Sequence, residues 1–293
     1  MSSQAMQQPK LLVVFTWAFL VIWLIAAAFP FLWTLWGSFK VESDFFSKSD
    51  WKNALYGVNT IAQTGSPFIL DAYRGTWIEE SFWLNAINTF LIVIFVMLVS
   101  LTFGTLGGYA LARSGKKYAF VILMAALIFR AMPHITLVSG YLLPFFEWGI
   151  WGTLPTTVIV LVAINQPFTL WMLHSFFLSI PKELDESAMV DGCSRFKAFR
   201  LVIMPVMWPG VVTTALFSFL LAYNDFAVTA VLLSQDNLTM VPRIASFLGT
   251  SQTEGKVMYA VAAVVSTTVP LFLLVMVFQR RIVSGLTAGA VKG

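Results

Sequence analysis

One charged stretch of this chain stands out because it lies between long hydrophobic runs. The segment from Lys182 to Pro205 carries eight of the chain's 32 charged residues, although long uncharged runs flank it on both sides. It opens with three carboxylates, those of Glu183, Asp185 and Glu186. Catalysis by such carboxylates would need a nucleophile, a base or metal ligands beside them. The two histidines, His134 and His174, lie elsewhere without accompanying carboxylates or cysteines, so we expect no catalytic residues and no metal site.

Other kinds of site are excluded by motif and composition. The only cysteine, Cys193, cannot form an internal disulfide or a multi-cysteine metal site. The sequence has no GxxxxGK[ST] motif, so we expect no bound nucleotide and no cofactor on this chain. The formal net charge is only +4, and the basic residues are spread over loops between hydrophobic runs. This distribution argues against a nucleic-acid partner.

The composition indicates that lipid surrounds most of the chain. Of its 293 residues, 58% are hydrophobic and only 11% are charged, and the mean hydropathy is +0.81. A soluble domain would carry about 25% charged residues. Since a helix needs about 20 apolar residues to cross a bilayer, we predict six spans in an all-α membrane protein. They lie near residues 11–36, 83–111, 118–145, 155–179, 206–233 and 257–280.

The basic residues between the spans predict the orientation of the protein. Eleven fall on one side of the six spans and six on the other, where they mix with acidic residues. By the positive-inside rule the first side is cytoplasmic, so we expect both termini inside a bacterial or archaeal cytoplasmic membrane. The first span is too long for a signal peptide and is expected to be retained. The segments outside the spans are then an inner N-terminus, 1–10, an outer segment, 37–82, and an inner tail, 284–293.

The charged stretch lies in the inner loop 181–205, between spans four and five, and reads as two short amphipathic helices. Acids near an N-terminus favour a first helix, which Gly192 ends because glycine takes a left-handed conformation at little cost. Ser194 is a plausible N-cap for a second helix, and Pro205 marks the start of span five. Two interpretations stay open on physical grounds: helices resting on lipid headgroups, or a surface that docks another protein.

The same stretch resembles a known motif. Glu186-Ser187-Ala188, Asp191-Gly192 and Ile203-Met204-Pro205 are similar to the EAA loop of ABC-importer permeases, with Ser187 and Met204 where alanine and leucine are usual. The C-terminal FQRRIVSGLTAGAVKG is similar to the tail of the MalG-type subunit of carbohydrate importers. The resemblance covers the chain from about residue 80 to its end. It favours a docking surface over a lipid-bound one.

Membership in this family would define the partners and the site. The resemblance implies a heterodimer with a MalF-type permease, two ATP-binding subunits that hold ATP and Mg²⁺, an external solute-binding protein and a carbohydrate substrate. The first helix would dock in a cleft of the ATPase, with Glu186 as polar anchor, Ala188 and Met189 packed in the cleft, and Gly192 as the turn. The full predicted coupling set is Glu183, Glu186, Ser187, Ala188, Met189, Asp191 and Gly192. In that case the chain is a transport subunit and not an enzyme.

Polar residues at membrane depth are candidates for the solute pathway. Arg130 lies within span three, and an ionisable group there is costly unless it faces protein or water. It either closes a helix end or pairs with Asp225 in the bundle, or it contacts a hydroxylated or anionic solute. Asn224 and Asp225 are expected to break span five. Tyr141 and Tyr223 are aromatic candidates for stacking on a sugar ring.

The outer loop 234–256 contains a short apolar patch that could touch a binding protein. We assign this contact to Ile244, Ala245, Ser246, Phe247 and Leu248. The alternative function is a self-sufficient secondary transporter, which would need intramembrane carboxylates for ion coupling. Asp225 is the one acid within a predicted span, so the importer permease is the better hypothesis. The residues do not identify the solute.

Overall fold

The computed structural model describes residues 10–46, 51–249 and 256–290, and these confirm an all-α fold. Five helices are long and apolar enough to cross a membrane, and a bent pair brings the number to six if it counts as one span. The chain divides into two compact units. Unit 1 comprises 1–80 and 247–268, and unit 2 comprises 81–246 and 269–293.

Unit 1 begins with a long apolar helix and continues with short helices in the predicted outer segment. Gly57 and Gly65, which follow α3 and α4, both have φ +71°, the left-handed conformation that stops a helix. A π-helical turn, Gly75–Glu79, follows the last of them. The helices are α1 (Lys10–Gly37), α2 (Glu42–Phe45), α3 (Trp51–Tyr56), α4 (Val58–Thr64) and α5 (Asp71–Arg74).

A buried lysine organises the outer segment. Lys40 is only 1% exposed, and its Nζ donates to the carbonyl oxygen of Pro67 at 2.6 Å. The same ammonium lies 4.9 Å from the ring centroid of Trp36 and 4.6 Å from that of Phe68. Such cation–π contacts stabilise a charge that has left water. Burial nevertheless lowers the pKa of Lys40, and the nearby carboxylate of Asp44 opposes this shift.

Unit 2 contains the predicted transport core. Apart from the bent span that holds Arg130, its spans are built from uncharged runs, and the short helices lie at their ends. The helices are α6 (Phe82–Arg113), α7 (Lys116–Ala131), α8 (His134–Glu147), α9 (Leu154–Leu178), α10 (Glu183–Val190), α11 (Arg195–Ala198), α12 (Met204–Tyr223), α13 (Ala227–Leu232) and α14 (Met240–Phe247). The last helix, α15 (Val257–Ala290), starts in unit 1 and continues in unit 2. It passes the predicted end of span six by about ten residues, and residues 291–293 of the predicted tail lie outside the described residues.

Helices α6 and α9 pack closely because small residues line their contact. A Cβ added to Gly104 would lie 2.7 Å from Cγ2 of Thr169, and one added to Gly108 would lie 3.0 Å from the backbone nitrogen of His174. Small residues let membrane helices approach where no hydrophobic effect drives them together. The Thr169 hydroxyl also lies 3.0 Å from that of Ser218, which connects α9 to α12 in the interior.

Two predicted spans are not single helices. Span three, predicted over 118–145, breaks between Ala131 and His134, and its two halves are bent by 86°. Pro133 explains the break, since proline disfavours the helical conformation of the preceding residue, and Met132 is extended with ψ 143°. Span five, predicted over 206–233, ends at Tyr223, and the chain resumes as α13.

The helix after the charged stretch does not stop at Pro205. Residues Arg195–Tyr223 form one continuous candidate span. A π-helical turn, Phe199–Ile203, lies directly before the proline. Proline has no N–H to donate, and it is tolerated at the first turn of a helix. The widened turn therefore lets α11 run into α12 without a break.

Candidate functional site

Helix α10 has one buried face and one exposed face. Leu184, Asp185 and Ala188 point into the chain, with Leu184 packed against a core cluster. The opposite face carries Glu183, Glu186, Ser187 and Val190, all exposed. The spacing i, i+3, i+4, i+7 puts these four residues on one stripe of the helix. The exposed stripe is therefore the face available to another molecule.

The exposed stripe combines carboxylates with apolar contact area. Val190 is 87% exposed, and Met189 beside it is also exposed. Three acids in the first turn suit the positive end of the helix dipole. Ala188 is only 5% exposed, so in this conformation it offers little surface for its predicted packing in a partner's cleft. The sequence analysis placed Ala188 outward, whereas the structure buries it and leaves Val190 exposed.

The turn after α10 depends on Gly192, as predicted. Its φ of +86° is in the left-handed region, where a side chain is strained. Backbone bonds close the turn, with the Gly192 N–H donating to Met189 at 3.1 Å and the Cys193 N–H donating to Ala188 at 3.0 Å. Asp191 is exposed in this turn. Ser194 then caps α11 by accepting from the Lys197 N–H at 3.4 Å.

Asp185 is the residue that the sequence analysis did not assign. Its Oδ1 accepts from the Tyr109 hydroxyl at 2.5 Å, and its Oδ2 accepts from Nε of Arg113 at 2.7 Å. Arg113 also donates from Nη1 to the carbonyl of Phe177 at 3.3 Å. The last turns of α6 and α9 are thereby joined to α10. Arg113 and Asp185 are 72 positions apart in the sequence, so local sequence patterns do not reveal this pairing.

A hydrophobic cluster supports the site from below. It brings residues of α6, α9 and α10 against the π-helical turn and α12. Its buried members are Ala112, Leu173, Phe177, Ile180, Phe199, Ile203, Met207 and Val211. Beside the cluster, a pocket of about 550 Å³ opens between the end of α6 and α10, lined by Tyr109, Arg113, Lys182, Glu186, Met189 and Arg195. Helix α10 is therefore held against a packed hydrophobic cluster.

Arg130 and Tyr141 meet in a smaller cavity of about 150 Å³ that His134 also lines. Arg130 lies in the last turn of α7 and donates to the carbonyl of Ile164 at 3.5 Å. Its guanidinium also lies 5.1 Å from the ring centroid of Phe168. Arg130 therefore closes a helix end and contacts α9. The alternative pairing with Asp225 is not what the structure has.

The carboxylate of Asp225 caps a helix. It accepts from the backbone N–H groups of Val228 at 3.1 Å and Thr229 at 3.0 Å, at the start of α13. Asn224 is exposed and donates to the Leu220 carbonyl. Tyr223 is buried and stacks on Phe219 at 5.6 Å. In this conformation Tyr223 offers little exposed surface to a pathway, and its contact with a solute stays a prediction.

The predicted outer contact is only partly exposed. Phe247 is 4% exposed and packs edge-on against Tyr259 at 6.3 Å, so it belongs to the interior of unit 1. Ser246 and Leu248 are exposed, whereas Ile244 and Ala245 are half-buried in α14. Residues 250–255 of the same loop lie outside the described residues. Over the part of the chain that the structure describes, no group of three His, Cys, Asp or Glu side chains is placed to hold a metal ion.

Comparison with known proteins gives consistent results. Residues 104–287 match the model of the family described as binding-protein-dependent transport system inner membrane component. The chain is 34% identical over 233 residues to the trehalose transport system permease protein SugB of Mycobacterium tuberculosis, covering 78% of this chain and 84% of that protein. It is 33% identical over 280 residues to the trehalose/maltose transport system permease protein MalG of Thermococcus litoralis, covering 93% and 94%.

The solved structures support the same fold. A chain of a bacterial ABC transporter involved in the import of the acidic polysaccharide alginate superposes with a TM-score of 0.71. The alignment covers 96% of this chain and 98% of that one at 17% identity. At this identity the likeness concerns the fold alone.

Proposed function

The chain belongs to the family of binding-protein-dependent transport system inner membrane components, and from this premise we propose that it is a MalG-type permease subunit that imports a carbohydrate or glycoside. Helix α10 is the surface on which a separate ATP-hydrolysing subunit docks. This chain transmits movement and does not hydrolyse ATP, since ATP and Mg²⁺ are held by the partner. Members of the family are transport components and not enzymes.

The observation that carries the proposal is the exposed acidic stripe of α10 on a buried base. Glu183 and Glu186 stand free of the core, while Leu184 and Asp185 hold the helix to it. Val190 and Met189 add an exposed apolar area, which is costly in water and is typical of an interaction surface. Carboxylates around an apolar centre suit a cleft with basic residues at its rim.

The remaining partners follow from the arrangement of a binding-protein-dependent importer. We place α10 and both termini on the cytoplasmic side, because the loops on their side of the spans carry more basic residues than the loops on the other side. A MalF-type permease completes the pathway, two ATP-binding subunits drive it, and an external binding protein delivers the solute. Closure of the ATPase pair would push on α10, and α12 would carry the movement to a cavity that opens alternately to each side.

A carbohydrate is the solute class that the relatives support. Trehalose and maltose appear in the names of the two relatives above, and alginate is the polysaccharide of the structural neighbour. In this chain, Arg130 and Tyr141 line the same small cavity and offer a guanidinium and an aromatic ring to a hydroxylated or acidic sugar. Ser246 and Leu248 are the exposed positions through which the outer loop would reach the binding protein.

The proposal is tested by gentle affinity purification of the tagged chain from its native membrane, with each co-purifying polypeptide identified by mass. We expect a second permease and a subunit that carries a Walker A motif. ATP hydrolysis by this complex should respond to the solute-binding protein. A chain that purifies alone and transports without ATP would instead establish the secondary transporter.

A further inference from the structure

We propose that Tyr109, Arg113 and Asp185 form a mechanical linkage that makes α6 and α9 move together with the docking helix α10. It rests on the proposed function, because only a docked ATPase would move α10. It makes Asp185 a positioning residue for coupling, and it gives the ATPase a path into the bundle besides α12.

The geometry of the linkage joins three elements through one carboxylate and one guanidinium. Tyr109 and Arg113 lie one helical turn apart at the end of α6, so both side chains reach the same carboxylate. Asp185 uses one oxygen for the hydroxyl at 2.5 Å and the other for the guanidinium at 2.7 Å. Arg113 adds the carbonyl of Phe177 in the last turn of α9.

The position of the linkage makes it stiff. Asp185 is 8% exposed, and the side chains of both partners in the ion pair are shielded from water. A charged pair in such surroundings is screened less than a surface pair, so its geometry is held more firmly. The ring of Tyr109 also packs against Phe177 at 5.6 Å and Phe199 at 4.8 Å. The ring of Tyr109 therefore contacts the C-terminal end of α9 and the π-helical turn, while its hydroxyl is hydrogen-bonded to α10.

The covalent connection between α10 and α12 is less stiff than the linkage. It runs through Gly192, whose Cβ position has no neighbour within 4 Å, and through an exposed turn. Glycine leaves the backbone free to rotate there. Without the linkage, α10 would be held by the packing of Leu184 and by this turn, and a push on α10 would not be transmitted directly to the end of α6. With it, the push reaches the end of α6 directly.

The hydrogen bonds that Arg113 makes and leaves unmade also support the linkage. Its Nη2 is buried and has no hydrogen-bond partner among the described residues. A buried donor without a partner is costly, so the guanidinium is not placed for maximal hydrogen bonding. It is placed where Nε meets Asp185 and Nη1 meets α9.

The test measures whether α10 keeps its distance from α6 when the ATPase moves. Spin labels are attached at Lys182→Cys, at the start of α10, and Leu98→Cys, an exposed position of α6, in a chain carrying Cys193→Ser. The labelled chain is purified with its co-purifying ATPase and permease. The distance distribution is recorded by pulsed electron paramagnetic resonance without nucleotide and after trapping with ATP and vanadate.

We expect the unsubstituted linkage to keep the same narrow distribution in both states. Asp185→Asn should broaden the distribution and shift its mean between the two states, while the ATPase stays bound. Arg113→Gln should do the same, and Arg113→Lys should restore part of the narrow distribution, because one charged bond returns. Lys197→Gln, an exposed cation of the neighbouring helix, serves as control and should resemble the parent.

The outcomes separate the linkage from the proposed function. An Asp185→Asn complex that keeps the narrow, unchanged distribution overturns the linkage and leaves the importer proposal standing. If the parent chain brings down no ATPase, the proposed function fails and the linkage fails with it. If Asp185→Asn does not assemble, Tyr109→Phe decides, since it removes one hydroxyl and leaves the ion pair: a broader distribution supports the linkage, and a parental one overturns it.

Discussion

Thr60 donates two hydrogen bonds to the buried carboxylate of Asp44, one from its backbone N–H at 2.7 Å and one from its hydroxyl at 2.6 Å. Asn59 adds two more, from its backbone N–H and its side-chain amide. Burial alone would raise the pKa of Asp44, but these four hydrogen bonds outweigh it, and the pKa of the carboxyl is lowered. The charged form is therefore part of the structure of the outer segment.

Asp44→Asn should destabilise the outer segment by about 2 kcal/mol, because its amide N–H would face donors where the carboxylate accepts. Hydrogen exchange of α2 and α4, followed by mass spectrometry, measures the effect. Asp71→Asn, at an exposed acid of the same segment, should change protection by less than about 0.5 kcal/mol. Equal effects of the two substitutions would contradict the role of the buried carboxylate.

The pH dependence of the same segment follows from the lowered pKa. A carboxyl whose folded pKa is below its unfolded value stabilises the fold above the unfolded pKa, and this contribution is lost as pH falls through the folded pKa. We therefore expect the difference in protection between the parent and Asp44→Asn to be constant near neutral pH and to shrink below about pH 4. Exchange rates corrected for their intrinsic pH dependence provide the measurement, and a difference that grows on acidification would contradict the assignment.

Two glycines with the same backbone conformation provide a matched pair beside Lys40. Gly57 and Gly65 both have φ +71°, but a Cβ on Gly57 would lie 2.7 Å from the ammonium of Lys40, whereas one on Gly65 meets nothing within 4 Å. Gly65→Ala should cost about 1 kcal/mol from left-handed strain alone. Gly57→Ala should cost more, because the ammonium must leave the Pro67 carbonyl. Thermal unfolding in detergent measures both, and equal costs would show that Lys40 moves without penalty.

Gly108→Ala should weaken the packing of α6 on α9. Its Cβ would meet backbone and side-chain atoms of α9 that cannot move independently, and such overpacking costs about 1–3 kcal/mol. Gly140→Ala in α8, where nothing lies within 4 Å of the new Cβ, is the matched control and should be neutral or slightly stabilising. The melting temperature of the purified chain distinguishes them, and a neutral Gly108→Ala would mean that the helices separate easily.

Gly192→Asp should leave the helices assembled but uncouple ATP hydrolysis from uptake. The aspartate has room, since nothing lies within 4 Å of its Cβ, yet the φ of +86° strains it. We expect the turn to relax and α10 to change its angle, at a cost of about 1–2 kcal/mol to the native turn. Gly192→Asn, which tolerates the left-handed conformation better, should be milder. Solute uptake per ATP hydrolysed by the purified complex is the measurement, and a parental ratio for Gly192→Asp would refute the role of the turn.

Several features of the site could be predicted from local sequence because they depend on local physics. Gly192 lies where a helix must end in a left-handed residue, and Ser194 lies where a cap is needed, so both were identified before their geometry was known. The break at Met132-Pro133 has an equally local cause, and the prediction of one helix over 118–145 gave the hydrophobic length too much weight against the proline.

The orientation of α10 could not be derived in this way. Its sequence has apolar residues at Leu184, Ala188, Met189 and Val190, and only the packing of the core cluster decides which of them are covered. Ala188 was predicted to face the partner, whereas it is buried in the structure and Val190 is exposed. The same packing turns Asp185, an acid among other acids, toward Arg113 on a distant helix.

The sequence by itself determined which runs are apolar enough to cross a membrane, how many basic residues each loop carries and the turn that ends α10, because each depends on residues close together in the chain. Only the tertiary structure decided which acid of α10 is buried, that Arg130 contacts α9 and not Asp225, and that Lys40 and Asp44 organise the outer segment. These pairings join residues from different elements, and their partners are chosen by how the helices pack. No pattern along the chain records that choice.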